Sequence, residues 1–287
     1  MSRAHGTAEQ SSDRHQSSSS LSDAHTTGDE SAAMLFVTNP FALLAESIPP
    51  LFMQCYIALM ILAVAVGTLI DLAHKGSARY FALRRQKSKA AAQKQLGIGE
   101  LVVLAIRTLG TEVATSGEFC KWARRLSHLL MYYGFVIYLV ATVLMAFAYP
   151  KAAHTPVILA TAWNIGALMV LAGGGWFFFR LRVDVVQERH SPFHLVRADL
   201  FIGSLLASVA FGLGWHLAQT TAGNEAGLTW ILFGLYLFFS TLLFVSVPWS
   251  KFAHMFYKPA AAFQKRLEEA NGSSDLPRPS NARYIVR

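Results

Sequence analysis

Charge is scarce in this sequence: Asp, Glu, Lys and Arg make up 15% of its 287 residues, against roughly 25% in an ordinary soluble domain. With 53% hydrophobic residues and a mean hydropathy of +0.37, the chain has too little polar surface to stay dissolved. A soluble globular domain is excluded. Cysteine is nearly missing as well. Two residues, Cys55 and Cys120, cannot build a disulfide framework or a multi-cysteine metal site. Cys55 falls in an apolar run and Cys120 in a polar connection, so they do not read as a disulfide pair, and each is expected to be a small packing residue. Acidic residues are absent from every long apolar run, which argues against a transporter, where ion coupling places a carboxylate inside a span. No inverted repeat is visible. The first 33 residues have no apolar stretch after a short basic head, so they do not read as a signal peptide.

What is present is apolar and long. Five uncharged runs stand out: Pro50–Ile70, His128–Tyr149, Pro156–Phe179, Leu200–Ala218 and Leu228–Trp249. Each has about 20 residues, enough at about 1.5 Å per residue to cross a hydrocarbon core of roughly 30 Å. Backbone polar groups find no water there, so each run is expected to be an α-helix. The expected fold is an all-α membrane protein, a bundle of five transmembrane helices. Residues 34–266 form this membrane domain. Residues 1–33 read as a disordered polar tail, or as sequence upstream of a true start at Met34, and residues 267–287 read as a flexible tail.

The positive surplus is unevenly placed. Asp71–Ser127 holds eleven Lys and Arg residues, and the third connection has Arg180, Arg182, Arg189 and Arg197. The second connection has only Lys151 and the fourth has no basic residue. Basic connections stay in the cytoplasm, so the N-terminus is expected outside and the C-terminus in the cytoplasm of a bacterial or archaeal membrane. The basicity reads as topology and as affinity for anionic lipid or acidic partners, with no nucleic acid implied. Leu35–Ser47 reads as an interfacial stretch. "GIGELVVLAIRTLGTEV" has apolar residues at helical spacing and reads as an amphipathic helix on the membrane surface or against a partner. "AGGG" at Ala172–Gly175 lets another helix, or a flat cofactor, approach the backbone.

The histidines are the candidate chemistry. His128 opens the second run in "RRLSHLLMYYGF" and His254 follows the fifth in "VPWSKFAHMFYKPAAAF". In the expected topology both lie at the cytoplasmic ends of their helices. Two histidines at one depth suit the axial positions of a b-type haem, with Arg124, Arg125, Arg197 and Lys251 at the level of its propionates. The same spacing is also met by two ordinary interfacial histidines. His216, in "FGLGWHLAQ", lies near the outer end of the fourth run. A second haem there would need His154, Met145 or Met169 as its other ligand. His194 competes as a ligand on the cytoplasmic side.

These motifs, with "RADLFIGSLL" opening the fourth run, resemble the cytochrome b membrane subunits related to the gamma subunit of respiratory nitrate reductase. The likeness is greater to the branch serving heterodisulfide-reductase-like, quinone-interacting and adenylylsulfate reductase complexes. It covers about Leu35 to Arg266, and its strongest motif is Pro248, Ser250, Lys251 and His254. The resemblance implies haem b between the second and fifth helices, with His128 and His254 as iron ligands. It also implies quinone as the exchanging substrate, and soluble iron–sulfur or flavin subunits as partners. The positions where the nitrate reductase subunit has two further histidines are Tyr138 and Tyr236 here. Either one haem is held, or a second uses a pair that includes His216. The rival expectation is a membrane anchor without redox cofactor.

Overall fold

A computed structural model of the chain describes residues 34–74, 77–114, 122–151, 154–181, 199–246 and 254–274. Among them all regular structure is helical: α1 (Pro40–Leu44), α2 (Pro50–His74), α3 (Ser77–Ala90), α4 (Ile98–Thr108), α5 (Trp122–Phe147), α6 (Val157–Trp176), α7 (Leu200–Ala222), α8 (Gly227–Val245) and α9 (His254–Asn271). Turns of π-helix extend α4 over Leu109–Ala114 and α6 over Phe177–Leu181. Five helices are long and apolar enough to cross a membrane: α2, α5, α6 with its π-turn, α7 and α8. These are the five expected spans. Their outward side chains are largely apolar; Leu51, Leu59, Ile61, Leu62 and Leu69 of α2 are all exposed, a surface suited to hydrocarbon rather than water.

Helix ends differ from the apolar runs. α2 continues one turn past Ile70 and takes in Asp71, which is only 2% exposed. The absence of acid therefore holds for the apolar run and not for the helix, and the argument it carried against ion coupling loses that support. α5 begins at Trp122, so His128 lies in its second turn and not at its start.

The chain divides into two compact units. The first comprises Met1–Leu59, Leu130–Gly175 and Leu205–Ser240. Its core is aromatic, with Trp163 and Trp215 fully buried beside Met145, Val170 and Val209. α5 and α6 meet backbone to backbone at a glycine pair. A Cβ on Gly134 would lie 2.7 Å from the Gly166 carbonyl oxygen, and one on Gly166 would lie 2.8 Å from that of Gly134. Only glycine allows this approach. Of the "AGGG" stretch, Gly174 abuts the Leu206 side chain, while nothing stands against Gly175.

The middle of the segment expected at the interface, Asn39 to Leu44, reaches into this unit's core, while Phe36, Val37, Glu46 and Ser47 are exposed. Pro40, Phe41, Ala42 and Leu44 are buried. Asn39 caps α1 by accepting hydrogen bonds from the backbone N–H groups of Phe41 and Ala42, and Pro40 starts the helix with a preset φ. Side chains of α6 and α7 hold the segment: Thr161 donates to the Phe36 carbonyl, Asn164 to that of Leu35, and Gln219 to that of Pro40. A short polar chain inside an apolar bundle needs these donors, because its carbonyls cannot reach water.

The second unit comprises Met60–Leu129, Trp176–Ser204 and Thr241–Arg287. Here α9 packs on α4 and its π-turn. Arg84 of α3 forms a two-pronged pair with Glu268 of α9, both contacts at 2.7 Å. Asn271 donates to Ser88, and its carbonyl accepts from the backbone N–H groups of Gln93 and Lys94. α9 thus runs past Arg266 into the stretch expected to be a flexible tail.

Candidate functional site

His128 is half-buried on α5, in the second unit. Arg124 and Arg125 precede it by four and three residues, which puts them on its face of the helix. Both are exposed, and Arg124 reaches the Leu181 carbonyl at 3.5 Å. Ser127, beside it in sequence, is fully buried. α5 therefore presents one imidazole at the edge of an uncharged helix with two guanidinium groups one turn away. His254 is the first residue of α9, and its side chain lies outside the described residues, as do His194, Arg197 and Lys251. No group of three or more His, Cys, Asp or Glu residues able to hold a metal ion occurs among the described residues. A pair of axial imidazoles needs no such group. The donor at His128 fits haem iron in kind: an imidazole nitrogen with two guanidinium groups one turn away for carboxylates.

His216 sits in the first unit, fully buried. Its Nε2 lies 2.9 Å from the Thr38 hydroxyl. The same hydroxyl lies 2.8 Å from the Met34 carbonyl, which it can also reach as a donor. Nδ1 is buried and has no hydrogen-bond partner among the described residues. The ring packs edge-on to Trp163, with centroids 5.5 Å apart. Nδ1 is thus the ring nitrogen of His216 not engaged by Thr38.

Tyr138 and Tyr236 belong to the same cluster. Tyr138 stacks on Trp163 at 4.9 Å and Tyr236 on Trp215 at 5.7 Å, while Phe41 touches both tryptophans. Trp215 Nε1 and Gln219 Oε1 are also buried without hydrogen-bond partners among the described residues. Sequence reasoning missed Thr38 and Trp163. The signal for Thr38 was its place beside "NP", a helix-start pair inside an apolar stretch. Trp163 gave none, because nothing in the sequence says which face of an apolar helix is turned inward. Cys55, expected to pack, is exposed on α2.

No family model matches the chain, and no solved structure matches it. Two curated proteins are similar to it. Citrate utilization protein B of Escherichia coli is 30% identical over 157 residues, covering 52% of this chain and 39% of that protein. A probable iron–sulfur-binding oxidoreductase, FadF of Bacillus subtilis (strain 168), is 26% identical over 132 residues, covering 37% of this chain and 18% of that protein. The chain spans less than half the length of either relative. Neither is a nitrate reductase or adenylylsulfate reductase subunit by name.

Proposed function

We propose that this chain is a membrane electron-transfer subunit that holds haem b. It exchanges electrons between the quinone pool and soluble iron–sulfur or flavin subunits at the cytoplasmic face of a bacterial or archaeal membrane. The observation that carries this reading is the likeness to an iron–sulfur-binding oxidoreductase in a chain with five candidate spans. The partner enzyme favoured by the sequence motifs is adenylylsulfate reductase, with electrons from sulfite oxidation passing to quinone.

The residues have simple tasks. His128, fixed by the second turn of α5, would hold the iron through an imidazole nitrogen, and His254 at the start of α9 would be its counterpart. Arg124 and Arg125 bind and orient carboxylates one turn away, where exposed guanidinium groups still keep their water. The aliphatic side chains of the spans exclude water and lower the local dielectric. When bound, the haem supplies one-electron exchange at a potential set by its ligands and burial. His216, through Nδ1, is the residue that would hold a second haem.

The reading is tested by measuring haem in the purified full chain as its pyridine adduct, and then its reduction by a quinol. About one haem b per chain, reduced by quinol, is expected. A stable chain that purifies without haem, even when expressed with haem supplied, would instead be a cofactor-free anchor.

A further inference from the structure

The helix α4 has more apolar surface than its protein neighbours cover. At 100° per residue its side chains fall into three sectors. Thr108 is buried and Leu101, Leu104 and Ala105 are half-buried on the sector turned to the protein, where α9 and the π-turn pack. Glu100 and Arg107 occupy a polar sector. Between these lies an open arc of roughly 140° bearing Ile98, Val102, Ile106 and Val103. Their exposures are 83%, 52%, 65% and 65%, and Leu109 in the π-turn adds a fifth exposed aliphatic side chain at 53%.

We propose that this face of α4 lies in the lipid interface, as an in-plane helix beside the five spans. Three observations favour lipid over a protein partner. The face is wholly aliphatic, whereas the centres of protein interfaces favour aromatic residues and arginine. The connection that carries it, Asp71–Ser127, has eleven basic residues against four acidic ones, the balance that anionic headgroups attract. Chain length also keeps the helix near the interface. Only eight peptide steps separate Ala114 at the end of the π-turn from Trp122 at the start of α5, a reach of about 28 Å at most. Trp122 is 72% exposed and meets Trp176 of α6 at 6.1 Å. Tryptophans in such pairs at span ends mark headgroup level. The polar sector, with Arg107, then faces water. This placement does not depend on whether haem is bound.

The test uses the full chain in nanodiscs of phosphatidylcholine and phosphatidylglycerol, with Cys55 and Cys120 replaced by alanine. A nitroxide label is placed in turn at Val103→Cys, Ile106→Cys and Arg107→Cys, all on exposed positions. Labels at 103 and 106 should collide freely with oxygen, which partitions into lipid, and should meet a water-soluble nickel chelate several-fold less often than the label at 107. Nickel access equal to that at 107 would place the face in water. Exclusion of both oxygen and nickel would place it against protein, either a partner subunit or a second copy of this chain. Either result overturns the proposal.

Discussion

Asn39 uses every hydrogen-bonding position of its amide. The oxygen accepts from Phe41 and Ala42, and the nitrogen donates to the Tyr149 carbonyl at 2.9 Å and the Thr155 hydroxyl at 3.1 Å. The residue is 2% exposed, so each lost bond leaves a group in a dry setting. Asn39→Ala should cost about 2–3 kcal/mol, the sum of a lost cap and unmet polar groups. Asn39→Asp should cost less, because it keeps the cap. Thermal unfolding in detergent, followed by helix content, measures both; equal midpoints for Asn39→Ala and wild type would mean the segment is not anchored this way. This residue also shows what the sequence concealed. The "NP" pair marks a helix start, and α1 starts there. Nothing in 34–48 says that the turn is buried, because the partners that make burial tolerable, Thr161, Asn164 and His216, lie more than a hundred residues away.

At the scale of elements, α9 is joined to α3 through charge. Arg84 donates to Glu268, holding that carboxyl below the usual carboxylate range, and Gln264 adds a further donor. The same contact raises the Arg84 guanidinium, which stays charged throughout. A carboxylate depressed on folding contributes stability above its unfolded pKa of about 4.3, and that contribution is lost as pH falls through the folded value. Hydrogen exchange in α9 should therefore quicken below about pH 4 relative to the spans. Glu268→Gln should abolish this dependence and weaken the contact by about 1 kcal/mol, modest because Arg84 is partly exposed. An unchanged acid response in that variant would assign the effect to other carboxylates. α4 was readable as an amphipathic helix from its spacing, whereas α9 was not recognised as a helix and its end was expected to be a flexible tail. Their pairing was not readable either, since it joins residues separated by more than 150 positions, and apolar periodicity says that a face is covered without saying by what.

At the scale of the whole molecule, the spans were the most legible feature. Twenty uncharged apolar residues leave the backbone no alternative to a helix in lipid. Their ends were less so, because α2 and α5 continue through polar residues that periodicity does not reach, Asp71 and Arg124 among them. The candidate site was legible in part. His128, Arg124 and Arg125 share one face of α5 through helical spacing, and His216 is buried with one ring nitrogen at Thr38, a contact the sequence does not announce. The central claim is that His128 and His254 together ligate one low-spin haem. It is tested most directly by the reduced-minus-oxidised absorption spectrum and the low-temperature electron paramagnetic resonance of the purified chain, wild type beside His128→Ala and His254→Ala. The account predicts a low-spin b-type spectrum in the wild type, lost in each single variant while the protein still inserts into membranes. A full low-spin spectrum in the His128→Ala protein would contradict it.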